Sequence, residues 1–185
     1  MSETEIRDYA RARGFHPKTL ERWLNWDPAD RDALAALARA FRVGENHLRD
    51  LMDWLEEIAL RDHVAIREVL RGQAIRNIET DPRLGRADKL KRIKEQVRRV
   101  RFPRLAATED EVRKRIHALG LGSEIKISAA PGLEEGRIDI QFSAASREDF
   151  RRLAGKLAGA AEAEEVGEIF ELLGGRRGAG NLVRD

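Results

Sequence analysis

The sequence predicts a mainly α-helical protein, with a helix-turn-helix in an N-terminal helical domain and a small C-terminal α-β-β-α domain that dimerises. Apolar residues recur at helical spacing over most of the 185 residues, and only five prolines interrupt them. Two short alternating segments lie close together in the last third. We expect a helical domain over 1–80, a basic linker helix over 81–104, a dimerisation domain over 105–173 and a flexible tail over 174–185.

The composition restricts the chemistry that the chain can carry. It contains no cysteine, which excludes disulfides, thiolate metal sites and a cysteine nucleophile. The four histidines are widely separated and none belongs to a His-Glu-x-x-His motif, while the glycine-rich segments 120–123 and 174–178 lack the lysine of a phosphate-binding loop. We therefore expect neither an enzyme nor a bound metal or cofactor.

The hydropathy pattern gives no sign of a membrane segment. With 42% hydrophobic and 37% charged residues, the chain has the composition of a strongly solvated globular protein. No apolar run reaches the roughly 18 residues of a membrane-spanning helix, and the first residues are polar and acidic rather than those of a signal peptide. We expect a cytoplasmic protein without a membrane partner.

Residues 6–23 have the spacing of a helix-turn-helix, a unit that lays a helix in a DNA groove. Ala10 suits a close helix crossing, Gly14 suits the turn, and Pro17 suits the first turn of a second helix. The apolar contacts of the unit would come from Ile6, Tyr9, Phe15, Leu20 and Trp23. The same pattern also fits two helices that are packed for structural reasons alone.

The second helix of this unit would turn four polar side chains toward a groove, namely Lys18, Thr19, Arg22 and Asn25. Lysine and arginine can bond guanine edges, and asparagine can pair with adenine. We therefore predict that these four residues contact DNA. Over 1–57, however, 12 acidic residues outnumber nine basic ones, so we expect weak or partner-assisted binding.

A second copy of the pattern begins at Leu34, 28 residues after Ile6, with Arg42 in place of the turn glycine. Its outer helix carries three acids that would oppose a phosphate backbone, Glu45, Asp50 and Asp53. We interpret this copy as structural support or as a protein-facing surface. The second possibility leaves open an alternative function, a protein-binding adaptor whose acidic helical domain docks on a partner complex.

The middle of the chain carries most of the positive charge, because residues 58–104 hold 14 basic and six acidic residues. The segment from Ile75 to Gly85 contains turn-forming residues, and a helix over 86–101 follows it. Leu90, Ile93, Val97 and Val100 form an apolar seam on that helix. After Arg86, with which the helix begins, its basic residues are Lys89, Lys91, Arg92, Lys94, Arg98, Arg99 and Arg101. The helix is either docked with a solvated basic face or in contact with nucleic-acid phosphates.

The last third has the element order of a small α/β domain. Thr108 and Glu111 form a capping box for a first helix, and alternating residues over 124–128 and 137–142 predict a hairpin. A helix capped by Ser146 follows, and a final helix spans about 163–173. Because two strands alone bury little surface, we expect this unit to pair with a second copy. The predicted dimer contacts are Ile125, Ile127, Ile138, Ile140, Phe142, Phe150, Leu153 and Leu157.

The segment GSEIKISAAPGLEEGRIDIQFSAASREDFRRLAGKL, residues 122–157, resembles the C-terminal dimerisation domain of ParB-type chromosome partition proteins. A helix-turn-helix ahead of such a domain is also similar to the order of elements in that family. The resemblance implies a dimer with paired DNA-reading units. The chain has neither the nucleotide-binding domain nor the arginine motif by which ParB engages CTP, so nucleotide hydrolysis is not implied.

Together these patterns predict a homodimeric protein that binds double-stranded DNA, in transcription regulation, chromosome partition or nucleoid organisation. The helix-turn-helix would read a groove, the basic helix would hold phosphates, and the C-terminal domain would join two copies. The expected partners are double-stranded DNA and a second copy of the chain, with a protein partner as the alternative.

Overall fold

A computed structural model describes residues 2–133 and 135–179 and divides into two compact units between Pro103 and Arg104. The described part is mainly helical, with ten α-helices and one two-stranded antiparallel sheet, as the periodicity predicts. None of the helices in these residues combines the length and the apolar character needed to cross a bilayer.

The first unit is entirely helical. It begins at a capping box, in which Ser2 accepts from the amide of Glu5 and donates its own amide to the Glu5 side chain. Its helices are α1 Glu3–Ala12, α2 Pro17–Leu24, α3 Pro28–Phe41, α4 Glu45–Asp62, α5 Ile66–Leu70, α6 Gln73–Thr80 and α7 Arg86–Arg101.

One turn occurs three times in this unit, after α1, α3 and α4. Each helix ends at a left-handed residue, which is Gly14 (φ 67°), Arg42 (φ 52°) or His63 (φ 55°). In each turn the following amide donates to the carbonyl five residues earlier, and the pairs are Phe15–Ala10 (2.9 Å), Val43–Ala38 (2.9 Å) and Val64–Ala59 (3.3 Å). The duplicated helical pair predicted at an offset of 28 residues is therefore present as α1–α2 and α3–α4.

Tyr9 joins the two copies of the pair. Its hydroxyl lies 2.9 Å from the carbonyl oxygen of Ala38 and 2.8 Å from that of Val43, which flank the second turn. The Tyr9 ring also packs edge-on against Phe15 and Trp23. One side chain of α1 thus fixes the turn between α3 and α4.

Helix α7 belongs to the core of the first unit, which differs from the predicted linker. Ile93 and Val97 are fully buried, and α7 packs against α3, α4 and α6. Leu90 and Val100 complete the apolar seam that the sequence predicted. The basic composition suggested a connector, but the seam requires a partner surface and α4 provides it through Leu51, Leu55 and other buried residues.

Two helix boundaries differ from prediction. The turn expected from Ile75 to Gly85 begins only at Asp81, because α6 continues to Thr80. The first helix of the second unit, α8, spans Pro103–Ala118 and begins five residues before the predicted cap. Proline is well suited to a first helical turn, and the Thr108 hydroxyl donates to the Arg104 carbonyl instead of capping.

The second unit consists of α8, β1 (Ile125–Ala129), β2 (Ile138–Phe142), α9 (Arg147–Ala161) and α10 (Glu164–Ala179). The strands pair with Ile127 opposite Ile140 and Ile125 opposite Phe142, which places their apolar side chains on one face. A small core forms among Val112, Leu133, Ile169 and Leu173. The flexible tail was predicted to begin at residue 174, and this is wrong for residues 174–179 because α10 continues to Ala179. Residues 180–185 of the predicted tail lie outside the described part.

Candidate nucleic-acid interface

The outer surface of α2 contains the residues that the sequence predicted to read DNA, and two of them are exposed as expected. Lys18 and Asn25 are in contact with solvent. Thr19 is not, because only 8% of the residue is exposed and its hydroxyl donates to a Glu45 carboxylate oxygen at 2.6 Å. Thr19 therefore positions the start of α4 against α2 and is not available to a DNA base.

Arg22 is also committed within the unit. Its guanidinium donates to Glu56 through Nε (3.1 Å) and Nη2 (2.6 Å), and to Asp53 through Nη1 (2.6 Å). The hydrogen bonds that Arg22 donates to these two carboxylates raise its pKa, and the bond to Glu56 contributes most. The direct reading of a guanine by Arg22 is thus incompatible with this arrangement, because the donors that a base would use already bond α4.

The acidic row of α4 is likewise occupied by neighbouring residues. Asp53 bonds Arg22, and Asp50 accepts from Lys94 of α7 at 2.7 Å. Glu45 accepts from the His16 amide (3.0 Å) and from Thr19, and these bonds hold the pKa of Glu45 below its usual value, the Thr19 hydroxyl contributing most. The acids that suggested a protein-facing surface stabilise the packing of α4 against α2 and α7.

A surface concavity of about 530 Å³ lies between the N-terminal ends of α2 and α4. It is lined by His16, Lys18, Thr19, Arg22, Glu45 and Arg49. Lys18 and Arg49 are exposed, and neither side chain forms a hydrogen bond or ion pair with another described residue. The imidazole of His16 accepts the Lys18 amide through Nδ1, which leaves Nε2 directed away from that bond. The concavity therefore holds two exposed cations, Lys18 and Arg49, beside Glu45, His16 and the already paired Arg22.

Most of the predicted phosphate contacts of α7 are engaged with the first unit. Lys89 donates to the Glu79 carbonyl, Lys94 bonds Asp50 and packs over Trp54, and Arg98 bonds Glu95. Arg101 pairs with Glu57 of α4. Lys89, Lys94 and Arg101 thus anchor α7 to α6 and α4, and the Arg98 bond lies within α7, so the basic content of the segment overstates the charge available to a ligand.

Two of the seven predicted cations of α7 face solvent. Lys91 and Arg92 are exposed, whereas Arg99 is half-buried and has an interaction of its own. Lys91 forms no ion pair with another described residue, and Arg92 lies close enough to Asp81 to help lower the pKa of that carboxyl, although Arg83 is the main cause. Of the seven predicted residues, these two remain as candidates for phosphate contact.

The predicted dimer residues of the second unit differ in exposure. Ile125 and Leu153 are buried within one chain, and Ile127, Ile138, Phe142 and Leu157 are half-buried. Ile140 and Phe150 are exposed at 44% and 54%, and the Phe150 ring lies 6.0 Å from that of Phe142. The apolar face of the hairpin is therefore left partly open at Ile140 and Phe150.

Arg49 and His16 were not predicted from the sequence as members of a cationic site. The three acids of the same helix were expected to oppose phosphate, yet each accepts a hydrogen bond from another residue of the unit. No sequence signal showed that the start of α4 would lie beside the start of α2. Among the described residues no three His, Asp or Glu side chains are grouped to hold a metal ion.

Comparison with known proteins adds no functional assignment. The chain matches no protein-family model, no curated protein and no solved structure. Its function is therefore inferred from the residues of the two units themselves.

Proposed function

We propose that the chain is a DNA-binding protein whose first unit holds the duplex backbone at the concavity between α2 and α4. The observation that carries the proposal is a pair of exposed cations there: Lys18 and Arg49 line the concavity and donate no hydrogen bond to a described residue, whereas Arg22 is paired with Asp53 and Glu56. A basic concavity attracts phosphate over several ångströms and concentrates its field at the opening.

The two leading residues differ in chemistry, and both suit phosphate. Arg49 carries a planar guanidinium that can bond two phosphate oxygens at once, whereas Lys18 carries a compact charge on a flexible stem. Neither side chain has to give up a hydrogen bond before it binds a ligand, although Arg49 helps to lower the pKa of the neighbouring Glu45. Contact with the backbone orients a protein on DNA and carries no sequence information by itself, so we propose phosphate binding as the main source of affinity.

Groove reading is proposed only for the exposed residues of α2. Asn25 is exposed and caps the C-terminal end of α2, about two helical turns beyond Lys18. An asparagine amide can bond adenine in the major groove. Lys91 and Arg92 of α7 supply further exposed charge for the backbone.

The second unit is proposed to join two copies of the chain. Its apolar face is open at Ile140 and Phe150, and a two-stranded hairpin gains stability when such a face is covered. Two linked copies of the first unit would contact one duplex together, which raises affinity without new contacts. This arrangement is the one that the resemblance to ParB-type proteins implies.

The acids that suggested the adaptor alternative are all engaged within the first unit. Glu45, Asp50 and Asp53 each bond a side chain of α2 or α7. Reversing their charge would break the first unit internally, so loss of a protein partner in such a variant would not identify a docking surface.

The test is binding of a short labelled duplex to the full chain, measured by fluorescence anisotropy. Lys18→Ala/Arg49→Ala is expected to weaken binding by about tenfold or more, since each lost phosphate contact removes a counterion-release term. Arg11→Ala/Arg71→Ala is the matched control, because it removes two exposed cations of the same unit outside the concavity. Equal affinity in both variants and the wild type would contradict the proposal.

A further inference from the structure

We infer that the acidic row of α4 masks Arg22 of α2, so that Asp53 and Glu56 act as an internal substitute for a DNA phosphate. The inference rests on the proposed DNA-binding function and adds an autoinhibitory contact to it. Arg22 is predicted to reach nucleic acid only when these two carboxylates release it.

The geometry of the contact resembles that of a bound phosphate. Glu56 accepts two parallel bonds from Arg22, at 3.1 Å from Nε and 2.6 Å from Nη2, which is the bidentate pattern that arginine also forms with phosphate. Asp53 accepts from the remaining terminal nitrogen at 2.6 Å. All three guanidinium nitrogens thus donate to these carboxylates, which leaves two of the five N–H groups for a ligand.

The masking acids are themselves held in place. The indole Nε1 of Trp26, just beyond α2, donates to Glu56 at 2.7 Å. Both carboxylates lie on α4, whose inner face is fixed by Leu51, Met52 and Leu55, all with no measurable exposure. The packed helix therefore places both acids opposite Arg22, so that release means breaking the three hydrogen bonds and not moving a loop.

The contact remains open to competition from solvent and ligand. The side chain of Arg22 is 37% exposed, that of Asp53 54% and that of Glu56 38%. Arg22 also lines the concavity that holds Lys18 and Arg49. A phosphate bound there would meet the guanidinium at its exposed edge, and the carboxylates would oppose it by like charge. Wild-type affinity is therefore held below what the cations of α2 and α4 could provide.

The experiment removes the negative charge of the two masking carboxylates and keeps the size of their side chains. In Asp53→Asn/Glu56→Gln the amide oxygen of residue 56 can still accept from Trp26, while the charge that holds Arg22 is lost. Affinity of the full chain for the labelled duplex is expected to rise about fivefold at low salt. The slope of log K against log salt should become steeper by about 0.9, the value for one additional phosphate contact.

Two further variants decide whether Arg22 causes the gain in duplex affinity and the steeper salt dependence. Adding Arg22→Ala to the neutralised chain should return both affinity and slope to about the wild-type values. Asp27→Asn/Asp30→Asn makes the same change in net charge but frees Arg67, which bonds those two acids at 3.5 and 3.1 Å, and it should leave DNA affinity unchanged. Asparagine at residue 27 can still cap α3.

The outcomes separate this inference from the proposed function. If the wild type binds through Lys18 and Arg49 but neutralisation leaves affinity and slope unchanged, the mask is overturned and DNA binding stands. An equal gain in the Asp27→Asn/Asp30→Asn control would also overturn it, since net charge alone would explain the effect. Should the double variant fail to fold, Glu56→Gln alone, with the Trp26 bond kept, should show the same change of slope in a folded chain.

Discussion

At the residue scale, Glu124 shows how one carboxylate ties the hairpin to α9. It accepts from Arg152 at 2.6 and 2.9 Å and from Lys156 at 2.6 Å. These hydrogen bonds, with Arg152 contributing most, lower the pKa of Glu124 from an ordinary 4.5 to about 2. Because the folded pKa is depressed, the stabilisation is present above the unfolded pKa and is lost as the pH falls through the folded one.

Glu124→Gln is therefore expected to lower the melting temperature of the chain at pH 7. The difference from the wild type should shrink as the pH falls from about 4.5 and vanish near pH 2, where the wild-type carboxylate is protonated too. Thermal unfolding followed by circular dichroism at several pH values measures this. Glu171→Gln, at an exposed carboxylate with no ion pair to a described residue, is the control and should show no such convergence. A difference that stays constant with pH would contradict the assignment.

Single residues also show where sequence reasoning reached its limit. Helical periodicity correctly placed Trp23 inside and Lys18 outside. It could not reveal that α4 would cover the same side of α2, because that depends on contacts between residues about 30 apart in the chain. Thr19 and Arg22 were predicted to face a ligand and instead bond the carboxylates of that helix.

At the scale of elements, the first unit depends on a turn whose three copies use different residues at the left-handed position. Glycine adopts a positive φ without the cost that a β-carbon imposes, which is about 1–2 kcal/mol for other residues. A β-carbon added to Gly14 would meet no heavy atom within 4 Å, so only backbone strain limits the replacement of this glycine. Arg42 already bears that backbone strain. Its side chain is exposed and forms no bond with another described residue.

Substitutions at the two turns should therefore have different effects on the free energy of unfolding. Gly14→Ala is expected to lower the free energy of unfolding by about 1 kcal/mol. Arg42→Gly is expected to change it by less than about 0.5 kcal/mol or to raise it, since relief of strain offsets the greater freedom of glycine in the unfolded chain. Urea unfolding of both variants measures the difference. A larger loss for Arg42→Gly than for Gly14→Ala would show that the two turns are not equivalent.

The elements themselves were largely readable from the sequence. Pro17, Gly14 and the alternating strands carry local signals, and the corresponding boundaries were predicted within a residue or two. The docking of α7 was less clear because the helix carries eight cations beside the four apolar residues of its seam. Their partners, including Asp50 and Glu57, lie on another helix and have no signal in the segment itself.

At the scale of the whole molecule, the proposed dimer places two first units on one duplex. Ile140→Asp/Phe150→Asp is expected to convert a homodimer into a monomer, because it puts two charges on the apolar face that a second copy would cover. Light scattering after size exclusion measures the mass. Both side chains are largely exposed in one chain, so the variant should keep its helical spectrum. A monomeric wild type, or a variant that remains dimeric, would contradict the proposed interface.

The central claim is that phosphate contact at the concavity between α2 and α4 gives the chain its affinity for DNA. The most direct measurement is the dependence of duplex binding by the wild-type chain on salt, from about 50 to 200 mM. We expect log K to fall linearly with log salt, and the slope to become shallower by about 1.8 in Lys18→Ala/Arg49→Ala, for two lost contacts. No binding at low salt, or a slope that the two substitutions leave unchanged, would contradict this claim.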